Sequence, residues 1–224
     1  MQNVITLLLV LHIAAGTLAL LSGVAAALLR KGGDGHVRSG RCYVWSMFVV
    51  SASALALASL RPSPFLFAIG LFSFYLVFTG WRAALRRDGR PQRIDVVATV
   101  IMLLTAGAMM LWGLRAWLPG QSGSDQSLVL LVFGALGFWL AVTDIGWLKR
   151  GGDKGKARIA RHLGRMLGGL IATITAVAVV NLTFLPPLLL WLGPTVALTP
   201  LIFWWNRHLG TSARAPASKR QASG

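Results

Sequence analysis

The sequence is short of the residues on which many soluble enzymes depend. It contains no glutamate, six aspartates and a single cysteine in 224 residues. The lone Cys42 excludes an internal disulfide, and no CxxCH, HExxH, Walker or GxSxG pattern is present. The sequence therefore offers no motif for c-type heme attachment, zinc peptidases, P-loop nucleotide hydrolysis or α/β-hydrolase chemistry. Charged residues make up 12% of the chain, against about 25% in soluble domains.

Long apolar runs are present instead. Hydrophobic residues make up 55% of the chain, and about 20 mostly apolar residues form a helix that crosses the hydrocarbon of a bilayer. Seven such runs occur, at 4–29, 42–60, 65–81, 94–114, 127–148, 166–181 and 185–205. We predict an all-α integral membrane bundle of seven transmembrane helices over 1–209, followed by a disordered basic tail at 210–224. The sixth run is short, and the prolines of the seventh predict a broken helix.

The positive charge follows a topological pattern. The net charge is +16, and 20 of the 22 lysines and arginines fall in four segments, at 30–41, 82–93, 149–165 and 207–220. Seven spans place all four segments on one side of the membrane, as the positive-inside rule requires of cytoplasmic loops. We therefore expect the N-terminus outside and the C-terminus in the cytoplasm. This topology explains the charge without nucleic acid as a partner, and it lets the basic loops contact anionic lipid headgroups.

One basic, glycine-rich motif occurs twice. RKGGDG at 30–35 returns as KRGGDK at 149–154, a spacing of 119 residues, and Gly-Arg pairs at 40–41 and 164–165 follow at a spacing of 124. The pattern predicts two parallel three-helix repeats, at about 4–85 and 127–208, joined by a linker helix at about 94–117. Parallel repeats of this kind occur in membrane transporters.

His12 lies within the first apolar run. It shares a helical face with the small residues Ala15, Gly16, Ala19 and Gly23. Because small residues mark close helix approach, we expect His12 to face the bundle. One alternative is that His12 makes a hydrogen bond to a neighbouring helix and so fixes the packing. The other is that it is a cofactor ligand or a proton carrier.

Asp144 lies near the inner end of the fifth run, on a face with Gly134, Gly137 and Ala141. We expect it to point inward, where a carboxylate needs a partner or a proton. The residues at the right level to supply a partner are Arg41, Arg165, His36 and His162. The alternatives are a structural ion pair that closes the inner end of the bundle and a substrate or proton site.

His36 and His162 precede the predicted starts of the second and sixth helices. With Arg41, Arg165 and nearby helix N-termini, they suit an anion such as a phosphate, a carboxylate or a heme propionate. The alternative is a basic interfacial loop that contacts lipid headgroups. The two histidines share a depth, so they are candidate ligands for one heme b or another metal. His12 lies roughly 25 Å from their level and cannot pair with them.

Four segments carry a family resemblance: LHIAAGTLALLSG, GHVRSGRCYVWSM, RHLGRMLGGLIATITAVAVVN and WLGPTVALTPLIFWW. They resemble a family of uncharacterised bacterial multi-pass proteins, the predicted-membrane-protein family numbered twenty-three-zero-six among domains of unknown function. The most specific element is H-x3-G-R-x-Y, from His36 to Tyr43. The resemblance implies an all-helical bacterial inner-membrane protein with His12, His36 and His162 as signature positions. It implies no reaction.

Three functions remain open at this point. The first is a small-molecule or ion carrier, favoured by the predicted repeat, the proline-rich seventh helix and the inward Asp144. The second is a redox protein that holds heme or quinone near the histidines. The third is a non-catalytic assembly or scaffold partner in a homo- or hetero-oligomer. No sequence feature identifies an enzyme.

Overall fold

The structure, a computed structural model, describes residues 1–119 and 123–211, with side chains as far as Arg207. These residues form seven helices and no strand, which confirms the predicted fold class. The helices are α1 (Gln2–Leu28), α2 (Asp34–Leu60), α3 (Pro64–Leu85), α4 (Arg93–Arg115), α5 (Asp125–Lys149), α6 (Gly155–Asn181) and α7 (Pro187–Thr211). The predicted tail lies outside the described residues from 212 onward.

Two helices begin well before their apolar runs. Helix α2 begins at Asp34 rather than at 42, and α6 begins at Gly155 rather than at 166. The apolar run marks only the part of a helix that lies in hydrocarbon, and basic residues continue the helix into the interface. The expectation that His36 and His162 precede these helices is therefore wrong, because both lie inside them.

Helix α7 is continuous, which corrects the prediction of a broken seventh helix. Pro187 is its first residue, a position where the missing N–H costs nothing. Pro194 and Pro200 lie inside the helix, and α7 runs through both. Prolines are tolerated in membrane helices when neighbouring groups satisfy the freed carbonyls.

The outside of the bundle is apolar. Leu7, Leu104, Leu111 and Val180 are each more than two-thirds exposed, an arrangement suited to lipid rather than to water. All seven helices are long and apolar enough to cross a membrane. Together these features are those of a multi-pass membrane protein whose surface contacts the bilayer.

Helix α3 lies at the centre and separates two apolar cores. It packs against α2, α4, α5 and α6. On one side Phe72 and Leu76 pack with residues of α4 and α5, including Met102 and Phe133. On the other side Val77 packs with residues of α1, α2 and α6.

The basic loops meet at one end of the bundle, called here the basic end. It comprises the α1–α2, α3–α4 and α5–α6 connections and the C-terminal part of α7. The first glycine of each repeated GGD motif has a positive φ, 79° at Gly32 and 75° at Gly151, which favours glycine. At the end of α5, the N–H groups of Gly151 and Gly152 donate to Leu148 and Trp147, so this copy terminates the helix in a Schellman motif.

The two predicted three-helix units differ in how they pack. Helix α1 packs along α2, whereas α5 and α6 have no pair of Cα atoms within 8 Å. Long side chains bridge the separation between α5 and α6, and a cavity lies there. The duplication itself stays a prediction.

Candidate functional site

The candidate site is a buried ionic cluster of four residues: Tyr75, Asp144, Arg161 and Arg165. Asp144 is fully buried on α5. Its Oδ1 accepts hydrogen bonds from Arg161 Nη1 at 2.6 Å and Arg165 Nη2 at 2.5 Å. Its Oδ2 accepts a short hydrogen bond from the Tyr75 hydroxyl of α3. The cluster therefore joins three helices through one carboxylate.

The two arginines are held from their other sides as well. The Nη2 of Arg165 also donates to the Leu140 carbonyl at 3.1 Å, and its guanidinium lies 5.1 Å from the centre of the Tyr75 ring. The Arg161 guanidinium lies 4.1 Å from the centre of the Trp147 ring. Cation–π contacts of this kind help to hold a charge in an apolar setting.

The cluster is not electrically neutral. Two guanidinium groups face one carboxylate, so the cluster carries a net charge of at least +1 whether or not Asp144 is ionised. The Nη1 of Arg165 is buried and has no hydrogen-bond partner among the described residues. A buried positive charge and an unpaired donor are both costly inside a membrane.

A cavity of about 380 Å³ adjoins the cluster between α5, α6 and α7. We call it the α5–α6–α7 cavity. Arg161 and Arg165 form part of its wall, while most of the remainder is apolar, including Phe72, Trp139 and Ile171. Asn206 of α7 also lines it, and its Oδ1 is buried without a hydrogen-bond partner among the described residues. The volume of the α5–α6–α7 cavity lies in the usual range for small-molecule sites, about 300–1,000 Å³.

Helical spacing explains why the arginines converge. Arg158, Arg161 and Arg165 are three, four and seven residues apart, which places them near one face of α6. Arg161 and Arg165 reach Asp144, and Arg158 Nη1 donates to the Ala83 carbonyl of α3 at 2.7 Å. One face of α6 thus binds both α5 and α3.

Only one of the four expected partners of Asp144 pairs with it. Arg165 does, whereas the side chain of Arg41 is exposed and has no hydrogen bond or ion pair with the side chains and backbone of residues 1–119 and 123–207. His36 and His162 bond to backbone carbonyls instead. The inward orientation of Asp144 is confirmed, because both Asp144 and Ala141 are fully buried.

His36 and His162 lie together at the basic end. Their ring centroids are 6.4 Å apart and the ring planes are nearly perpendicular, at 89°. His36 Nδ1 lies 2.9 Å from the Ala26 carbonyl of α1, and His162 Nδ1 lies 2.9 Å from the Gly80 carbonyl of α3. The expectation that the two histidines share a depth is consistent with this geometry.

His12 joins α1 to α2. Its Nδ1 lies 2.9 Å from Ser53 Oγ, and Ser53 donates to the Val49 carbonyl at 2.7 Å. The contact between His12 Nδ1 and Ser53 Oγ is a side-chain hydrogen bond that connects α1 to α2. This bond accounts for a packing contact between α1 and α2, and a role of His12 as a cofactor ligand or proton carrier stays a prediction.

We expect the His12–Ser53 bond to show a coupling energy of about 0.6 kcal/mol and at most about 1.7 kcal/mol, the mean and the maximum measured for hydrogen bonds between membrane helices. The measurement is a double-mutant cycle with His12→Phe and Ser53→Ala, using unfolding in mixed micelles. Thr105, which bonds only within its own helix, replaces Ser53 in the control cycle. A coupling as small as that of the control cycle would contradict a bond between α1 and α2.

Sequence reasoning missed four side chains that form buried polar contacts. Tyr75 and Arg161 complete the cluster, and a bidentate ion pair joins Arg82 of α3 to the buried Asp95 of α4 at 2.7–2.8 Å. Arg161 was detectable from its spacing to Arg165, provided that α6 was extended through the basic segment. Tyr75 gave no signal, because a tyrosine in an apolar run is ordinary.

The part of the chain that the structure describes contains no group of three or more histidine, cysteine or acidic residues suited to a metal ion. Comparison with protein-family models, curated proteins and solved structures gives no match. The resemblance to the family numbered twenty-three-zero-six therefore stays a prediction.

Proposed function

We propose that the protein is a carrier of amphiphilic organic anions in a bacterial inner membrane, with the α5–α6–α7 cavity as its binding site. The observation that supports this function is the excess positive charge of the buried Arg165 and of Arg161, whose side chain is 12% exposed, at the wall of a mostly apolar cavity. An anionic head group would compensate the charge, and an apolar body would fill the remainder.

The excess positive charge at the cavity wall indicates an anionic head group on the ligand. Arg165 Nη1 is a buried donor without a partner in the described chain, and guanidinium groups bind carboxylate, sulfonate and phosphate groups with directed hydrogen bonds. A neutral ligand would leave the excess charge uncompensated. A cationic ligand would add to it, so we expect the site to reject cations.

The apolar lining and the volume of the cavity indicate the kind of group that the rest of the ligand carries. Phe72, Trp139 and Ile171 offer apolar and aromatic surface, which favours a hydrocarbon or aromatic group over a sugar or a nucleotide. A volume of about 380 Å³ fits a small molecule better than a phospholipid with two chains.

Helix α7 is the best candidate for the moving wall. Thr195 and Thr199 of α7 line the cavity next to the internal Pro194 and Pro200. Each proline removes one backbone hydrogen bond and weakens the helix locally. Helix α7 packs mainly against α6 and only slightly against α5, so a shift of α7 away from α5 would open the cavity.

Binding is tested with the protein in lipid nanodiscs and two probes, 4-pentylbenzoate and 4-pentylbenzenesulfonate. Calorimetry, corrected with empty nanodiscs, should show saturable binding of both anions and none of the neutral 4-pentylbenzenesulfonamide. The variant Ala172→Trp fills the cavity without touching the ionic cluster and should weaken binding at least tenfold. Leu111→Trp, which adds the same ring to an exposed position on α4, should bind as the wild type does.

Transport across the membrane is tested with radiolabelled 4-pentylbenzenesulfonate, which stays ionised and does not cross a bilayer as a neutral acid. Proteoliposomes with wild-type protein or Leu111→Trp should take it up, whereas Ala172→Trp should not. Equal uptake by all three preparations and by empty liposomes would overturn the carrier function. Binding without uptake would reduce the proposal to an anion-binding protein.

The orientation is part of the same proposal. We place the N-terminus outside and the basic end in the cytoplasm, supported by the lysines and arginines of the loops. Reporters of periplasmic and cytoplasmic location, fused separately to the two termini, should report opposite compartments. Both termini in one compartment would contradict this topology.

A further inference from the structure

Two arginines lie at the end of the bundle opposite the basic end, called here the far end. Arg61 follows the last residue of α2, and Arg115 is the last residue of α4. They are the two of the 22 lysines and arginines that fall outside the four basic segments. Because the positive-inside rule disfavours basic residues in short loops on this side, we expect a negative group to compensate them.

Neither arginine has a negative partner within the described chain. The side chains of Arg61 and Arg115 are exposed and form no hydrogen bond or ion pair with the side chains and backbone of residues 1–119 and 123–207. Asp125, at the start of α5, is the acidic residue of the far end, and its carboxylate lies more than 4.0 Å from both guanidinium groups. The compensating group therefore comes from outside these residues.

A groove of about 570 Å³ begins next to the two arginines and lies between the α2–α3 turn, α3 and α4. We call it the α3–α4 groove. Pro62, which follows Arg61, and Trp112, one turn before Arg115, line the groove near the far end, and Leu104 lines it further along α4. Leu104 is 68% exposed and Trp112 is 48% exposed, so the groove is open toward the lipid.

The lining of the α3–α4 groove suits hydrocarbon. Phe67, Leu71 and Met109 contribute apolar surface. The hydroxyl groups of Ser59 and Thr105 also lie in the lining, but each donates to a carbonyl of its own helix at 2.8 Å. Since these donors are already used, the groove favours an apolar chain over a polar ligand.

The length of the groove matches one leaflet of a bilayer. Past Trp112 the groove continues into a second open space, which is lined by Leu111, Arg115 and Ala116. From Arg115 back to Leu104 is eleven residues, or about 16 Å at 1.5 Å per residue. Half of a hydrocarbon core of about 30 Å is about 15 Å. A lipid chain along this face of α4 would therefore reach from the interface to the middle of the membrane.

The residues at the mouth of the groove indicate the head group. Guanidinium groups bind phosphate with directed hydrogen bonds, and Trp112 and Trp117, both about half exposed, flank Arg115 at the level where tryptophan meets lipid head groups. A zwitterionic lipid compensates its phosphate with its own ammonium group. A lipid with net negative charge leaves its phosphate charge available to the two arginines.

We propose that the α3–α4 groove binds one anionic phospholipid from the leaflet at the far end. One acyl chain lies in the groove along α4, and the phosphate lies at Arg61 and Arg115. This inference does not depend on the proposed carrier function, because the groove and the α5–α6–α7 cavity share no lining residue. It also differs from contact between the basic loops and head groups, which involves the opposite end of the bundle.

The test is photolabelling of the full chain in nanodiscs that contain equal amounts of phosphatidylglycerol and phosphatidylcholine. In one preparation the phosphatidylglycerol carries a diazirine in its acyl chain, and in the other the phosphatidylcholine carries it. Labelled residues are mapped by mass spectrometry. We expect phosphatidylglycerol to label residues 104–112 at least about fivefold more than phosphatidylcholine, since one arginine near a lipid surface contributes about that preference. Leu7 and Leu11, exposed on α1, should be labelled equally by both lipids.

Two pairs of variants separate charge from shape. Arg61→Gln with Arg115→Gln should lower the preference in the groove to the value at α1, whereas lysine at both positions keeps the charge and should retain it. Ala108→Trp fills the groove and should also remove the preference. Its matched control is Leu114→Trp, which adds the same ring to an exposed position of α4 outside the groove lining and should behave as the wild type does.

Equal labelling of the groove by both lipids in the wild type would show bulk lipid only and would overturn the proposal. So would a groove that neither lipid labels because a second copy of the chain covers it. A preference that survives the double glutamine variant or Ala108→Trp, or one that the double lysine variant loses, would count equally against it. Unchanged labelling of α1 in every variant shows that the bundle is still folded.

Discussion

Replacing Asp144 by asparagine is expected to lower the free energy of unfolding by about 3–5 kcal/mol, the cost of removing one partner of a buried ion pair. The side chain keeps its size, so packing is preserved. The loss comes from Arg161 and Arg165, both nearly buried, which lose the only carboxylate that lies within 4 Å of them among the described residues. Tyr75 also loses a charged acceptor.

The measurement is unfolding in mixed micelles, with Asp125→Asn as the control. Asp125 lies in the first turn of the same helix and is exposed, so its replacement should cost less than about 1 kcal/mol. Added salt should reduce the effect at Asp125 and leave the effect at Asp144 nearly unchanged, because buried charges are poorly screened. Equal effects at the two positions would show that the cluster does not hold α5 to α6 and α3.

A triple apolar variant separates charge from packing. This variant replaces every charged residue of the ionic cluster, by Asp144→Leu, Arg161→Met and Arg165→Met. Replacing a buried ion pair or triad by apolar residues is often neutral or stabilising. We expect this variant to be more stable than Asp144→Asn and to bind neither pentylbenzene anion. Stability would then be recovered while the proposed function is lost, which is the result expected if the charges serve binding.

The second large effect is expected at the contact between α4 and α5. Replacing Gly113 by leucine should lower the free energy of unfolding by about 3 kcal/mol, at the upper end of the usual cost of overpacking. A Cβ at this position would lie 2.8 Å from the Ser127 carbonyl oxygen and 2.7 Å from Leu131 Cγ. The carbonyl belongs to the backbone of α5 and cannot rotate away, so the two helices would have to separate.

Gly107→Leu is the matched control on the same helix. A Cβ there would meet no heavy atom within 4 Å, and leucine is a better helix former than glycine by up to about 1 kcal/mol. We therefore expect Gly107→Leu to be neutral or stabilising in the same unfolding assay. If both variants were destabilised equally, the close approach of α4 and α5 at Gly113 would not be the cause.

Much of the fold could be predicted from local properties of the sequence. A span of 20 or so apolar residues is recognisable without its neighbours, so the sequence predicts seven spans, and the described residues contain seven. Helix ends were predicted less well. The first turns of α2 and α6 are rich in basic residues, yet they continue the helix that follows. A hydropathy profile detects their polarity and does not detect their helical conformation.

The candidate site could be predicted only in part. Asp144 was found because a carboxylate in an apolar run is costly and therefore conspicuous. Its partner Tyr75 is 69 residues away in the chain, and no pattern within α3 distinguishes that tyrosine from a packing residue. His36 and His162 were matched by depth, but their 6.4 Å separation depends on how α2 and α6 pack around α3.

The sequence by itself determined the number of membrane-spanning helices and the gathering of basic residues at one end of the bundle. Both follow from the free-energy cost of placing polar groups in hydrocarbon. That cost applies to each residue independently of its contacts in the folded bundle. Only the tertiary structure decided which charges meet, where a cavity remains and which histidines face each other. Those outcomes depend on contacts between helices that are distant in the chain, and a seven-helix chain can satisfy the same apolar pattern with more than one arrangement of neighbours.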